Sequence, residues 1–255
     1  MTRVCKLVIL TLCLASASWL VAQQAATPQS VLTGALAGLG ATSIQRASLS
    51  GNAEFIAGAT DETGSFSASC AVNGSSQLQL QLPTMSRIES RQTAKGIPAG
   101  YWVDSQGIQH SMAGHNLYAP ESWFCPQIAL SKFLQNSSLA IQFVGNETRN
   151  GASVAHYSIA ATASGTTKLS LLLTHLTQTN LYLDSATLRP VALDFSIHPD
   201  SDATIDIPVE IRFSNYTNAN GVWTPSTIER YVNSTLALRL QVESASATPA
   251  GSANQ

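Results

Sequence analysis

The segment SSQLQLQL, residues 75–82, constrains the fold more than any other stretch of this chain. In it, Leu78, Leu80 and Leu82 alternate strictly with three glutamines. Because successive side chains of a β-strand point to opposite faces, the pattern predicts a half-buried strand with one apolar face. The same alternation recurs at Leu169, Leu171 and Leu173, and at Ile207, Val209 and Ile211. The sequence therefore predicts a large antiparallel sheet whose apolar face must be covered or used for binding.

Two segments carry the signals of helices. Thr27 and Pro28 suit an N-cap and a first helical position, and an apolar stripe follows that ends near Gly38 and Gly40. The segment PQIALSKFLQ, residues 126–135, is the second predicted helix. Only these two segments, or three at most, are then available to cover a sheet.

Almost all of the remaining chain is predicted to form strands, including TTKLSLLLTHLT at residues 166–177. Hairpin turns are expected at Asn220-Gly221 and at Asn233-Ser234. A sheet of about ten strands with so few helices as cover tends to curl and leave an apolar cavity, the alternative being a fully packed core. The predicted fold class is mainly β: a curved antiparallel half-barrel of about ten strands, with two or three helices covering the concave face.

Residues 1–22 have the layout of a secretory signal peptide. Arg3 and Lys6 precede an uncharged apolar run, and small residues follow it. We therefore expect an exported protein that works in the periplasm or outside the cell. Residues 23–245 are expected to form a single domain, and residues 246–255, which are small and polar, to form a disordered tail.

Composition limits the partners of the chain. Charged residues make up 11% of it, the formal net charge is −2, and no basic patch is evident, so nucleic acid is not an expected partner. Beyond the predicted signal peptide the only cysteines are Cys70 and Cys125. In an exported chain such a pair suggests a disulfide, and two separate buried thiols are the alternative.

Motifs that carry chemistry are missing from the sequence. None of the five histidines stands in HExxH or a similar metal spacing, and GxSxG and phosphate-binding loops are absent. Asp200, Asp202 and Asp206 lack the glycine and glutamate of an EF-hand, so a solvated acidic turn is predicted there. Asp184 is interpreted as a turn residue whose carboxylate accepts backbone amides. The sequence thus predicts no catalytic residue, no metal site and no cofactor.

Two segments near the end of the chain form a recognisable pattern. In NLYLDSATLRPVAL a strand ends in an apolar-x-Asp turn that leads to a Pro-bearing strand, and FSNYTNANGVWTPSTIERYV follows. The residues that carry the pattern are Asp184, Thr187, Pro190, Tyr216, Gly221, Val222, Pro225 and Ile228. This pattern resembles the outer-membrane lipoprotein-carrier (LolA-like) superfamily. The resemblance implies an open, strongly curved half-barrel with helices as a lid over a hydrophobic cavity.

The chain departs from that superfamily at one position. In the carrier, an arginine directly before the proline that opens an inner strand ties the lid shut. The matching place here is Leu82 before Pro83, and Arg87 is the candidate to replace the missing arginine.

These patterns together predict an exported, monomeric, non-enzymatic binding or carrier protein that holds an acyl chain or another apolar ligand. The expected partners are an acyl chain of a lipid or lipoprotein, and an envelope protein. The predicted cavity-lining residues are Leu78, Leu80, Leu82, Met85, Phe143, Leu171 and Leu173, with residues 128–134 as the lid.

Two other functions stay open at this point. One is a packed β domain with a structural or interaction role in the cell envelope. The other is an exported hydrolase, in which His110, His115 or His198 would meet a carboxylate or a serine in one cleft.

Overall fold

The structure, a computed structural model, describes residues 26–162, 165 and 167–249. The predicted signal peptide and residues 250–255 of the predicted tail lie outside these ranges. The described helices are α1 (Pro28–Gly38), a 3₁₀ helix (Gly114–Tyr118), α2 (Pro126–Gln135) and α3 (Lys168–Thr177). The strands are β1 (Ile44–Ala57), β2 (Thr60–Ala71), β3 (Ser76–Gln81), β4 (Ser86–Ala94), β5 (Ile97–Val103), β6 (Gln109–Ser111), β7 (Leu139–Arg149), β8 (Ala152–Ala161), β9 (Thr179–Asp184), β10 (Pro190–Ile197), β11 (Ile207–Ala219), β12 (Val222–Val232) and β13 (Thr235–Pro249). Within the described ranges, no helix has the length and apolar character needed to cross a membrane.

All thirteen of these strands form one antiparallel sheet in the order β6-β5-β4-β3-β2-β1-β13-β12-β11-β10-β9-β8-β7. The sheet is curved and does not close into a barrel. Each half is a meander of consecutive strands, and the halves meet where β1 pairs with β13. The predicted half-barrel fold class is therefore confirmed, with thirteen strands where about ten were expected.

The concave face of the sheet carries the core. Leu78 and Leu80 of β3 are buried there, as the alternation with glutamine predicted. Helices α1 and α2 pack against this face, and α2 is buried over residues 126–131 and at Phe133. Removing this apolar surface from water is the main stabilising contribution to such a sheet, which could not leave its whole face exposed.

One predicted strand is wrong. Residues 168–177 form helix α3, which begins after Thr167, whose hydroxyl accepts a hydrogen bond from the Ser170 amide at 3.2 Å. Leucine favours helix over strand, and the capping threonine adds a start signal that the alternation obscured. The face prediction fails with the strand, because Leu169 is 66% exposed and Leu171 57% exposed.

The boundary of the predicted tail also changes. Strand β13 continues to Pro249, and its residues 245–249 pair with the start of β1. Residues 246–249 therefore belong to the sheet, because they pair with the first residues of β1.

The predicted hairpin turns are confirmed. Asn220, Gly221, Asn233 and Ser234 all have positive φ, between 49° and 88°, the conformation that two-residue hairpins between twisted strands require.

Asp184 is confirmed as a turn residue. Its Oδ1 accepts hydrogen bonds from the Thr187 amide at 2.8 Å and the Thr187 hydroxyl at 2.7 Å. The bond from the Thr187 side chain is the main reason that the pKa of Asp184 lies below its ordinary value. The carboxylate thus holds the β9–β10 turn together.

Gly40 fixes how the end of α1 docks on the sheet, and its replacement tests that docking. Its φ is +70°, and a Cβ there would overlap the carbonyl oxygen of Gly221. We expect Gly40→Ala to lower the free energy of unfolding by at least about 2 kcal/mol, because strain and overlap add. Gly38 is the matched control: it lies in the helix with open space around its Cα, so Gly38→Ala should stabilise by about 0.5–1 kcal/mol. Equal effects of the two variants in urea unfolding would contradict this account.

Candidate ligand-binding cleft

A cleft of about 240 Å³ lies on the concave face, where β3 and β4 approach β12 and β13. Its lining residues are Phe55, Leu78, Leu80, Met85, Arg87, Glu89, Arg230, Val232, Ala237 and Leu238. The sheet order places β3, β2, β1 and β13 between β4 and β12. Only strong curvature can therefore bring Glu89 of β4 and Arg230 of β12 to the same cleft.

The apolar wall of the cleft contains three of the predicted lining residues. Leu78 and Leu80 project from β3, and Met85 follows just before β4. Leu238 of β13 completes this wall from the other half of the sheet.

The other four predicted lining residues lie elsewhere. Leu82 is buried in the protein without lining the cleft. Phe143 is on the edge strand β7, where it is 50% exposed and contacts Tyr157. Leu171 and Leu173 are on α3. The cleft therefore lies between β3–β4 and β12–β13, whereas the prediction had spread it across the whole concave face.

Charged residues form the second wall of the cleft. Leu80 is paired with Arg87 and Leu78 with Glu89, so these β4 side chains share the concave face with the leucines. Arg230 is paired with Leu238 in the same way. On the concave face, the apolar side chains of β3 and of Leu238 on β13 thus lie next to charged side chains of the neighbouring strands, β4 and β12.

Glu89 is held ionised inside this wall. Its Oε1 accepts a hydrogen bond from Nε of Arg87 at 2.9 Å. Burial by itself raises the pKa of Glu89, but the guanidinium groups of Arg230, Arg87 and Arg91 outweigh burial and hold the pKa below its ordinary value. Three arginines face one carboxylate, so the charged wall is net positive.

Arg230 has unused hydrogen-bonding capacity in the cleft. Its Nε is buried and has no hydrogen-bond partner among the described residues. Burial also lowers the pKa of Arg230, an effect that the charge of Glu89 opposes. A buried N–H donor without a partner is costly, and a bound ligand oxygen would remove that cost.

Arg87 is positioned by an aromatic stack at the rim. Its guanidinium lies 4.4 Å from the ring centroid of Trp102, which stacks on His110 at 4.0 Å. His110 Nε2 in turn lies 2.9 Å from Oδ2 of Asp104. The hydrogen bond with His110 is the main cause of the lowered pKa of Asp104. This arrangement fixes Arg87 in place, so Arg87 does not reach the segment that precedes α2.

Arg91, four residues after Arg87 on β4, makes the contact that the resemblance led us to expect of Arg87. Its Nη1 donates to the carbonyl oxygens of Asn116 at 3.2 Å and Ala119 at 3.1 Å. Both carbonyls belong to the segment that leads into α2. Arg91 therefore ties the concave-face helix to the sheet, nine positions after the Leu82 site.

A disulfide makes a second tie to the same segment. Cys70 of β2 is bonded to Cys125, the residue before α2. The sequence left two separate thiols open, and the structure confirms the bridge. The start of α2 is thus fixed to β2 covalently and to β4 through Arg91.

The charged wall is the part of the cleft that sequence reasoning missed. In SRIESRQTA, residues 86–94, the charged Arg87, Glu89 and Arg91 occupy every second position. Such a pattern ordinarily marks a solvent-facing strand surface. The signal that could have revealed it is the short connection after β3: a hairpin that pairs Gln81 with Ser86 sets even-numbered residues of β3 opposite odd-numbered residues of β4, and this places the charges on the leucine face.

An open antiparallel half-barrel with helices in its concave face, and a cleft beside them, defines a LolA-like fold. Neither a family model nor a curated protein matches this sequence. Among solved structures, it is similar to an outer membrane lipoprotein-sorting protein domain from Vibrio parahaemolyticus, with 11% identity over 89% of this chain and 94% of that one, and a TM-score of 0.54. It is equally similar to a DUF1329 family protein from Desulfovibrio piger, with 12% identity, 89% and 93% coverage and a TM-score of 0.54. A LolA superfamily protein from Nitrosomonas europaea shows 12% identity, 88% and 94% coverage and a TM-score of 0.52. The predicted resemblance is confirmed, and at these identities it establishes the fold.

Proposed function

We propose that this protein is an exported, non-enzymatic carrier or sensor that holds an acyl chain, or an apolar ligand of similar shape, in the concave cleft. The observation that supports this most directly is the composition of the cleft: an apolar wall that ends at a net-positive wall, where a buried donor on Arg230 has no partner among the residues that the structure describes. That combination suits an amphipathic ligand with an apolar chain and an oxygen-rich end.

The apolar wall supplies the affinity for the chain. Each methylene buried against Leu78, Leu80 and Leu238 contributes about 0.8 kcal/mol. At about 240 Å³ the cleft is smaller than the 300–1,000 Å³ common for drug-sized ligands. A long acyl chain therefore requires the segment before α2 to move away from β4.

The charged wall supplies the orientation. Nε of Arg230 would donate to a carboxylate or ester oxygen, and the surplus positive charge favours an anionic end. The apolar tail would then lie along β3, so the ligand binds in one direction.

The lid follows from the two ties already described. Arg91 and the Cys70–Cys125 bridge hold the segment that leads into α2. The Arg91 bonds can break reversibly whereas the bridge cannot, so we propose that opening separates this segment from β4 while α2 stays attached to β2.

A second candidate function is an envelope interaction domain. It is favoured by α3, whose Leu169 and Leu171 are both more than half exposed. Exposed apolar groups of this kind commonly mark contact surfaces for another protein. Such a role uses the outer surface of α3 and needs no ligand in the cleft.

Filling the cleft tests the carrier proposal. Ala237 lines the cleft and is half-buried, so Ala237→Trp adds a large side chain without removing a core contact. We expect uptake of a fluorescent fatty acid to weaken at least tenfold, which corresponds to about 1.4 kcal/mol. Met85→Trp, at the other side of the cleft, should act in the same direction.

The matched control is Phe143→Ala on strand β7. Phe143 is an apolar concave-face residue outside the cleft, so its loss should leave uptake unchanged. Native mass spectrometry of protein from the envelope fraction, followed by organic extraction, should show a discrete lipid mass. A clean ligand-free mass, with no uptake by the unmodified protein, would refute the carrier proposal and leave the interaction domain.

A further inference from the structure

Three side chains with metal-binding atoms meet beside the β10–β11 connection, away from the cleft. They are His175 in the last turn of α3, His198 directly after β10 and Asp206 directly before β11. One ligand atom from each of the three lies within 4.8 Å of the others. We propose that these residues form a binding site for a zinc-class divalent cation.

The fold explains why residues so far apart in sequence converge. Ile197 and Ile207 form the last pair of the β10–β11 ladder, so His198 and Asp206 flank that pair on either side of the loop. Thr179, which follows α3, pairs with Phe195 near the end of β10. The last turn of α3 therefore arrives beside the same loop and presents His175.

Two of the three donor–donor distances fit a tetrahedral site, and the third lies within 4.8 Å. Oδ1 of Asp206 lies 3.1 Å from Nε2 of His175 and 3.4 Å from Nδ1 of His198. In a tetrahedron with metal–ligand bonds of about 2.0–2.1 Å, neighbouring donor atoms are about 3.3–3.4 Å apart. A cation can thus enter between the three atoms with small shifts of the two exposed side chains.

The state of His198 is the second observation that points to a ligand. Its side chain is 1% exposed, and its Nε2 has no hydrogen-bond partner within the described part of the chain. Nδ1 lies 3.1 Å from the carbonyl oxygen of Ile205. Hydrogen bonding among the described residues therefore leaves one nitrogen of the buried ring unsatisfied, and a neutral imidazole can bind a cation through either nitrogen.

The donor set selects the class of cation. Two imidazoles and one carboxylate suit Zn²⁺ and its neighbours in the first transition row, while Ca²⁺ and Mg²⁺ prefer an all-oxygen shell. His115, which meets His198 edge-on, is held by the carbonyl oxygen of Pro199 at 3.0 Å and is not part of the set. His175 and Asp206 line a polar cleft of about 390 Å³, so solvent can reach a bound cation and complete its coordination.

Titration of the tag-free, chelator-treated protein with Zn²⁺ in a calorimeter tests the site. We expect one equivalent of Zn²⁺ to bind, and Ca²⁺ to give no comparable signal. His175→Ala and Asp206→Asn should each weaken Zn²⁺ binding by more than about 100-fold, since removing a ligand exceeds the 10–100-fold cost of changing its supporting partner. Both side chains are nearly half exposed, so circular dichroism should show that the variants remain folded.

His110→Ala is the matched control. His110 is also paired with an aspartate, Asp104, at 2.9 Å, but among the described residues no third metal-binding atom joins this pair. Zn²⁺ binding should be unchanged in this variant. The proposal is overturned if the unmodified protein takes up no Zn²⁺, or if His175→Ala and Asp206→Asn bind it as tightly as His110→Ala. On the unmodified protein, Co²⁺ should perturb the NMR signals of the His175 and His198 rings and leave that of His110 unchanged; the opposite pattern would contradict the assignment.

Discussion

Replacing Cys70 and Cys125 together by alanine should lower the free energy of unfolding by about 4 kcal/mol. The bridge spans a sequence separation of 55 residues, and closing a loop of that length removes about 4 kcal/mol of entropy from the unfolded chain. The region around the bridge should lose its stability first. Hydrogen exchange should increase in α2 and in the segment before it while the strands β8–β11 remain protected, because the bridge joins the start of α2 to β2.

Reductant supplies the control for this pair of substitutions. It should destabilise the unmodified protein to a similar extent and have no effect on the double alanine variant. If unfolding is unchanged in the variant, or if α2 and the strands lose protection together, the bridge is not what holds α2 on the concave face.

Replacing Glu89 by glutamine should cost about 2–3 kcal/mol of stability at neutral pH. Glu89 is 20% exposed and is hydrogen-bonded to Arg87. Its removal leaves Arg87, Arg91 and Arg230 facing one another in the charged wall without an anion. Breaking a partly buried charge set in this way is among the more costly single changes. Urea unfolding at pH 7 measures the loss.

The pH dependence of that loss has a definite sign. The folded-state pKa of Glu89 lies below its ordinary value of 4.5, so the contribution is fully present above about pH 5. It should disappear as the pH falls below 4.5 through the lowered folded-state value. The difference between the unmodified protein and Glu89→Gln should therefore shrink in acid.

Glu243→Gln is the matched control for Glu89→Gln. Glu243 is exposed, and its contact is with the side chain of Asn52 at 2.6 Å. We expect an effect within about 0.5 kcal/mol at every pH. A stability difference for Glu89→Gln that stays constant down to pH 3, or that matches the control, would contradict the role given to the carboxylate.

Strand alternation was enough to predict the large sheet and two residues of the apolar wall of the cleft, Leu78 and Leu80. Leu78 and Leu80 were assigned to the correct face because a glutamine at every second position leaves no ambiguity. The same logic failed at Leu171 and Leu173, where leucines run consecutively and the helix is specified by capping at Thr167 instead. A local sequence pattern thus predicts which face of a strand is buried only where polar residues alternate regularly with apolar ones.

The contacts that cross the concave face could not be predicted. Arg230 and Glu89 approach each other because of the curvature of the whole sheet, a property that no short segment encodes. Arg91 took the contact expected of Arg87 because Trp102 holds Arg87 at the rim. His175, His198 and Asp206 converge through strand register and helix placement, with no motif spacing in the sequence.

The pairing of β1 with β13 has a consequence for how the molecule is assembled. In the part of the chain that the structure describes, strands β1–β6 and β7–β13 form two consecutive meanders, and the one ladder between them joins β1 to β13. Contacts of such long sequence separation form slowly, since the loop entropy is lost before they contribute. During synthesis the edge of the first meander that pairs with β13 therefore stays unpaired until β13 has been made. Both walls of the cleft take residues from both meanders, so the cleft is completed only at that last step.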